Sequence, residues 1–498
     1  MARFLTGPNL RKSVAASLIL AAAACLILWI ARIFYAISFV TPWLAVTTGG
    51  EEETLFSIWK FIQYQAVYAD PHRIPFAVSN YNWGFYCFYG WVTGACLHVL
   101  HLDPIWIATV GRLVTVVLTL LCGAIFYRAL RDFVPAGLFA RPAARWAWCA
   151  IATCSPLVGF WSITVRPDLG ALAFECAGLY AILRYVNKPS GRTIAAAVIL
   201  FYLAWAFKQS QVTMLAGSVL SLLLLKRWRA LLLLGGIWWL LAIVTLILGG
   251  PIYRESVLFS QGRLPWAVHL GIDNICLALV RNLFLPFGLA ASLWMVFRRA
   301  HRARFTPVAT VLSASLLFSF CFAVVTAFKL GAVTNYYIPA AWIAMLALAV
   351  HWEQLYSRWT MAGLAACSFV MVLGIARTHV AYGEYHYADS VHRVEAEKFR
   401  SLPAPVFATD PYANLPWVQY SSPHFVVAGT YFFEEAAGTV FEDGGWEGLA
   451  RSGYFGTVVT NEDDDLPAAS LQRYELTSEY KDGQSDLKFY RRMGSANR

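Results

Sequence analysis

The chain has 498 residues, 59% hydrophobic and only 14% charged, with 20 Trp, 24 Tyr, 33 Phe and a formal net charge of +10. Globular proteins average about 45–50% apolar and about 25% charged, so this composition excludes a soluble enzyme, a disordered chain and a small disulfide-stapled domain. It describes a polytopic membrane protein with aromatic-rich interfaces.

Apolar runs long enough to cross a bilayer (about 17–25 residues) fall at 13–35, 105–127, 146–164, 168–186, 230–250, 281–297, 306–328, 332–352 and 359–377. Segment 192–226 is interrupted by Lys208-Gln209-Ser210 and reads as two short spans. Segment 81–100 is apolar and uncharged, and its aromatics suit the headgroup level. Laid along the surface rather than across the bilayer, it puts the basic clusters at Arg3/Arg11/Lys12, 128–145, 184–192, 226–229, 298–304 and Arg358 on one side, as the positive-inside rule requires. The expected fold class is an α-helical polytopic membrane protein with eleven spans, the N-terminus in the cytoplasm and the C-terminus outside. Segment 55–67 has helical apolar spacing (Leu55, Ile58, Trp59, Ile62) with Lys60 and Gln63 opposite, and reads as a second surface-lying helix. A long outer loop near 251–280 offers a third.

Charge divides the chain. Residues 1–377 hold 29 Lys/Arg and 11 Asp/Glu, and residues 378–498 hold 10 and 18. The expected domains are therefore a transmembrane domain, 1–377, and a small extracytoplasmic α/β domain, 378–498. Strands are expected at Pro403–Ala408, Phe425–Ala428 and Gly456–Thr460, and a short helix over Glu447–Arg451. The ten cysteines all lie between Cys25 and Cys367 without metal-ligand spacing, and no basic module stands apart from the spans to bind nucleic acid.

The topology has a consequence for function. Glu51-Glu52-Glu53, Asp70, Arg166-Pro167-Asp168, Lys208, Lys329 and Asn335-Tyr336-Tyr337 all fall at outer ends of spans, although none was used to orient the chain. Each has a plain structural reading. Acids suit a helix start, Asp168 caps the helix that Pro167 opens, the lysines snorkel, and the tyrosines form an aromatic belt. Taken together they are acids and phosphate-binding cations at one membrane surface. Glu175, about two turns deeper than Asp168, is a buried acid at membrane depth.

The order and wording of these pieces resemble the polytopic GT-C-type glycosyltransferases that use polyprenyl-phosphate-linked sugars, among them the protein O-mannosyltransferases and the lipid A aminoarabinose transferases. The likeness rests on Glu51-Glu52 after the first span, Val67-Tyr68-Ala69-Asp70-Pro71, Pro75-Phe76 leading into Asn80-Tyr81-Asn82-Trp83-Gly84-Phe85-Tyr86, Arg166-Pro167-Asp168, Phe207-Lys208-Gln209 and Asn335-Tyr336-Tyr337-Ile338-Pro339. It covers roughly residues 13–350. The family's outer acid pair is here a run of three, so the register of the catalytic acid is open, with Glu51 first and Glu52 next.

The resemblance implies inverting transfer of a hexosyl or pentosyl group from a polyprenyl-phosphate donor to a hydroxyl of a glycan, lipid or protein acceptor. The expected setting is the periplasmic face of a bacterial inner membrane. It implies Glu51, Glu52 and Asp168 as the catalytic acids. Arg166, Lys208, Lys329, Tyr336 and Tyr337 would bind the donor phosphate and lipid, and Asp70, Asn80, Tyr81, Asn82 and Asn335 the acceptor and sugar. It leaves open a divalent cation such as Mg²⁺ or Mn²⁺ on Glu51, Glu52 and Asp168. The competing readings are a transporter or flippase of a lipid-linked or anionic solute, which should show inverted repeats and a midplane site, and a scaffold on the same fold.

Overall fold

The computed structural model describes residues 7–38, 51–74, 76, 78–134, 136–300, 306–379, 401–408, 428–461, 468–481 and 486–494. Its helices begin with α1 (Gly7–Ser38), α2 (Glu52–Ile62), α3 (Trp83–Val99), α4 (Ile107–Phe133), α5 (Pro142–Cys154), α6 (Asp168–Asn187), α7 (Gly191–Phe207) and α8 (Thr213–Leu224). Among the described residues six helices are long and apolar enough to cross a membrane, or seven if the bent pair Val268–Arg281 and Phe284–Met295, at 91°, forms one span. The expected eleven is therefore not reached on length and apolarity. The 146–164 run yields only the 13-residue α5 followed by a 3₁₀ turn at Gly159–Ser162. α7, α8 and Thr334–Val350 are shorter apolar helices. The chain is a multi-pass integral membrane protein.

The core is built around Ile338–Val350, in which every residue from Ile338 to Ala349 is buried. A helix that is apolar all round belongs inside, and its alanines let neighbours approach closely. α6 packs on α7 and α4, α1 on α5 and on Arg358–His379, and α8 on Pro307–Thr326. A methyl group on Gly217 of α8 would lie 2.3 Å from the Ser315 backbone, so only glycine permits this approach. Trp228–Leu248, by contrast, is mostly exposed apolar surface, as a lipid-facing helix must be.

The region 251–280, expected as a long loop offering a third surface-lying helix, is helical in two pieces, residues 250–263 and Val268–Arg281. Val268–Arg281 is amphipathic, with Val268, Ile272 and Val280 exposed, a pattern that suits a surface-lying helix.

The C-terminal part holds a four-stranded sheet of β1 (Val406–Ala408), β2 (Thr457–Asn461), β3 (Tyr474–Lys481) and β4 (Asp486–Arg492), in the order β1-β2-β4-β3. β1 and β2 are parallel, and β4 is antiparallel to both of its neighbours. Two of the expected strands overlap β1 and β2. The third falls mostly outside the described residues, and Ala428 opens the helix Ala428–Ala436 instead. β3 and β4 escaped the sequence reading because their charged residues alternate with few apolar ones. Helix Gly445–Ser452 covers the sheet through Trp446, stacked on Phe407 at 5.0 Å. Phe76, from the α2–α3 connection, is fully buried in this second core between Tyr431 and Phe441. That side chain, together with the Arg73–Glu442 and Ser260–Glu434 contacts, ties the C-terminal unit to the helical body.

Candidate active site

Glu51 and Glu53 sit at the start of α2, and the helical phase sends them to different places. Glu51 shares a face with Leu55 and Ile58, at four and seven residues, and all three are buried. Its carboxylate takes the Arg112 guanidinium in a buried ion pair and accepts the Val165 N–H at 2.7 Å. It does not line the cavity described below. The Glu52 side chain lies outside the described residues. Glu53 shares its face with Ser57 and Lys60, and its Oε1 accepts from the Tyr86 hydroxyl at 2.5 Å and from the Asn80 N–H at 3.0 Å. Oε2 takes no hydrogen bond among the described residues. Burial raises the Glu53 carboxyl above its ordinary value, although the two hydrogen bonds and the charges of Arg166 and Lys60 pull downward. Burial likewise lowers the Lys60 ammonium to about 8.

Glu53 opens onto a cavity of about 390 Å³ at one end of the helices. Its wall carries Asn80 and Tyr81 before α3, Arg166 before α6, Lys208 and Gln209 after α7, and Lys329, Asn335 and Tyr336 around the start of Ile338–Val350. Leu258, Leu264, Trp266 and Phe322 add apolar lining. Phe433 of Ala428–Ala436 also lines the cavity, as does Ser260, whose hydroxyl donates to Glu434.

The cations are held in a defined way. α6 starts at Asp168, immediately after Pro167, as the sequence suggested. Asp168 Oδ1 accepts from Lys208 Nζ and from Asn335 Nδ2, each at 2.6 Å, and Oδ2 stands 3.9 Å from Arg166 Nε. Asp168 is thus the post that binds three elements together, behind rather than on the cavity wall. The Arg166 guanidinium lies between the rings of Tyr81 and Trp161, 5.2 and 5.3 Å from their centroids, and Lys208 Nζ lies 4.6 Å from that of Tyr336. Lys329 makes no ion pair or side-chain hydrogen bond among the described residues, and burial lowers its ammonium. Its backbone pairs with that of Trp266, and both residues line the cavity. Two turns down α6, Glu175 accepts from Met214 N at 2.7 Å and from Gln211 Nε2 at 2.5 Å. It clamps the elbow between α7 and α8 on which Lys208 and Gln209 stand.

Three other sequence candidates stand apart from the cavity. Asp70 accepts from His72 N and faces Arg73, which donates to Glu442 of the C-terminal unit at 2.9 Å. Asn82 caps α3, donates to the Trp205 carbonyl and accepts from Tyr253. Tyr337 is buried against Phe320. Trp205, Trp266 and Phe433 were not among the sequence candidates, and Tyr86 stood only within the motif that opens α3. Glu53 stood in the acidic run behind Glu51 and Glu52, and its seven-residue spacing to Lys60 puts it on the polar face of α2.

The donor set does not fit a divalent cation shared by Glu51 and Asp168. Glu51 already faces Arg112, and Asp168 already faces Lys208 and Arg166. Among the described residues no three His, Cys, Asp or Glu side chains gather.

Neither a protein-family model nor a curated protein matches the sequence. Solved structures do match the fold. ArnT from Cupriavidus metallidurans, solved bound to undecaprenyl phosphate, superposes over 95% of this chain and 97% of its own, at TM-score 0.59 and 14% identity. AglB, the archaeal oligosaccharyltransferase from Archaeoglobus fulgidus, solved with an inhibitory peptide and a dolichol-phosphate, covers 97% of this chain over 75% of its own, at TM-score 0.50 and 12% identity. The chain therefore has the fold of the GT-C-type membrane glycosyltransferases.

Proposed function

We propose that the protein moves a sugar from a polyprenyl-phosphate-linked donor to an acceptor hydroxyl, with inversion, at the extracytoplasmic face of a bacterial inner membrane. One observation carries the reading. A carboxylate held only by neutral hydrogen-bond donors, Glu53, shares a cavity with Arg166, Lys208 and Lys329. Two structures of this fold were solved with polyprenyl phosphates, which fits that cation set.

The acceptor hydroxyl attacks the anomeric carbon from the face opposite the phosphate. The new C–O bond forms as the bond to the phosphate oxygen breaks, and Glu53 Oε2 takes the hydroxyl proton. General-base help of this kind contributes roughly 10²–10⁴-fold. The leaving polyprenyl phosphate gains a negative charge, which Arg166, Lys208 and Lys329 offset. Asp168 is a positioning residue that holds Lys208 and Asn335. The apolar lining of Leu258, Leu264 and Phe322 suits the first isoprene units. This reading moves the base from Glu51 and Glu52 to Glu53.

The test is transfer from radiolabelled polyprenyl-phosphate sugars in membranes carrying wild type or Glu53→Gln at matched expression. Labelled product in wild type that falls about 10²–10⁴-fold in Glu53→Gln is expected. Undiminished transfer in the variant would move the base elsewhere.

A further inference from the structure

Two amides on the cavity wall each present an oxygen that no group among the described residues satisfies. Gln209 Nε2 donates to the Asn80 carbonyl at 2.8 Å, and Asn335 Nδ2 donates to Asp168 Oδ1 at 2.6 Å. A backbone carbonyl and a carboxylate only accept, so each partner determines which end of its amide is nitrogen. Gln209 Oε1 and Asn335 Oδ1 are then both buried acceptors with no donor among the described residues. Asn335 is 5% exposed, and both residues line the cavity. A buried acceptor left unmet is costly, and a ligand that brings a donor removes the cost.

The charge nearby restricts that donor. Lys208 Nζ and Asn335 Nδ2 share one oxygen of Asp168, each at 2.6 Å, so they stand within about 5 Å of one another. An ammonium brought to Asn335 would sit beside the Lys208 ammonium, whereas a hydroxyl supplies the same donor without the repulsion. The rings of Tyr81, Trp205 and Tyr336 on the same wall offer flat apolar faces for the C–H side of a sugar ring. The geometry points to Gln209 and Asn335 as the donor-sugar subsite, which accepts two hydroxyls of a neutral sugar and disfavours amino sugars. This rests on the function proposed above and names its substrate class.

The experiment uses the full chain in lipid nanodiscs and three probes at equilibrium. These are polyprenyl phosphate without sugar, a panel carrying glucose, mannose, galactose or arabinose, and the same lipid carrying a 4-amino-4-deoxy sugar. In wild type at least one neutral sugar should bind more tightly than the sugar-free lipid, and the amino sugar should not. Gln209→Met and Asn335→Leu should each lose about tenfold affinity for that neutral probe, as expected for one hydrogen bond. Gln209→Met, which leaves the Asp168–Lys208 pair untouched, should bind the sugar-free lipid within about twofold of wild type. Equal losses for both lipids in Gln209→Met, no loss for either in both variants, or a wild-type preference for the amino sugar would overturn the subsite. Wild type that binds sugar-free lipid yet gains nothing from any sugar overturns the subsite alone. Wild type that binds no polyprenyl phosphate overturns the proposed function itself.

Discussion

The two faces of α2 hold the same side chain in opposite circumstances. On one face Glu51 is fully buried, and the Arg112 guanidinium and the Val165 N–H already match its charge. On the other, Glu53 is hydrogen-bonded by neutral groups only, the Tyr86 hydroxyl and the Asn80 N–H, and lines the cavity. A carboxylate neutralised by a buried guanidinium is a cross-link. A carboxylate held by neutral donors keeps the capacity to take up a proton. The difference lies in what the third dimension brings to each position, since the residues are chemically identical and two positions apart.

That contrast can be broken by experiment. The largest expected effect is the division of labour between the two acids. Glu53→Gln should cost about 10²–10⁴-fold in turnover while thermal unfolding of the purified protein stays near that of wild type. Glu51→Gln leaves a buried guanidinium short of its counter-charge and should lower stability by about 3–5 kcal/mol, read as a drop in Tm. If the two variants behave alike, the two faces are not distinct. Next, Lys208→Met removes a cation from the wall. It should raise KM for the polyprenyl-phosphate donor by about tenfold or more, in the range of a lost charge-assisted hydrogen bond, and steady-state kinetics with varied donor would show it.

A smaller effect belongs to Tyr86. The base works only when ionised, so the rate should fall as pH drops through the raised pKa of Glu53. The Tyr86 hydrogen bond opposes that rise, so Tyr86→Phe should move the acidic limb of the pH–rate profile to higher pH. A limb that stays in place would separate Tyr86 from the base. The smallest effect is expected at the contact with the C-terminal unit. Arg73 pairs with Glu442 in the open, where ion pairs contribute little. Arg73→Ala should leave Tm within measurement error, and a clear drop would show that the C-terminal unit is held by charge rather than by Phe76.

The sequence held much of the site in separate pieces. Arg166, Lys208, Lys329, Asn335 and Tyr336 were legible as polar residues at ends of apolar runs that the positive-inside rule assigns to one face, and Asn80 and Tyr81 only through the family resemblance. Asp168 was legible as an acid but not as the post that joins Lys208 to Asn335, since that role depends on distances between residues 167 positions apart. Asp70 and Asn82 looked equivalent to Asn80 by position, yet the structure uses them to tie loops to Glu442's unit and to Tyr253. Helix phase along α2 would have put Glu53 with Lys60 and Glu51 with Leu55, but phase alone does not say which face meets a cavity.

By itself, the sequence determined the class of protein, the polar ends of its apolar segments and the break at Lys208-Gln209-Ser210. Those follow from local rules, because apolar length and flanking charge act on each segment separately. Only the tertiary structure decided which acid is neutralised and which stays open, and which amides are left short of a donor. Both depend on partners far away in the chain, Arg112 for Glu51 and Asp168 for Asn335. In a low-dielectric interior, the partner rather than the residue type settles what a buried polar group can do.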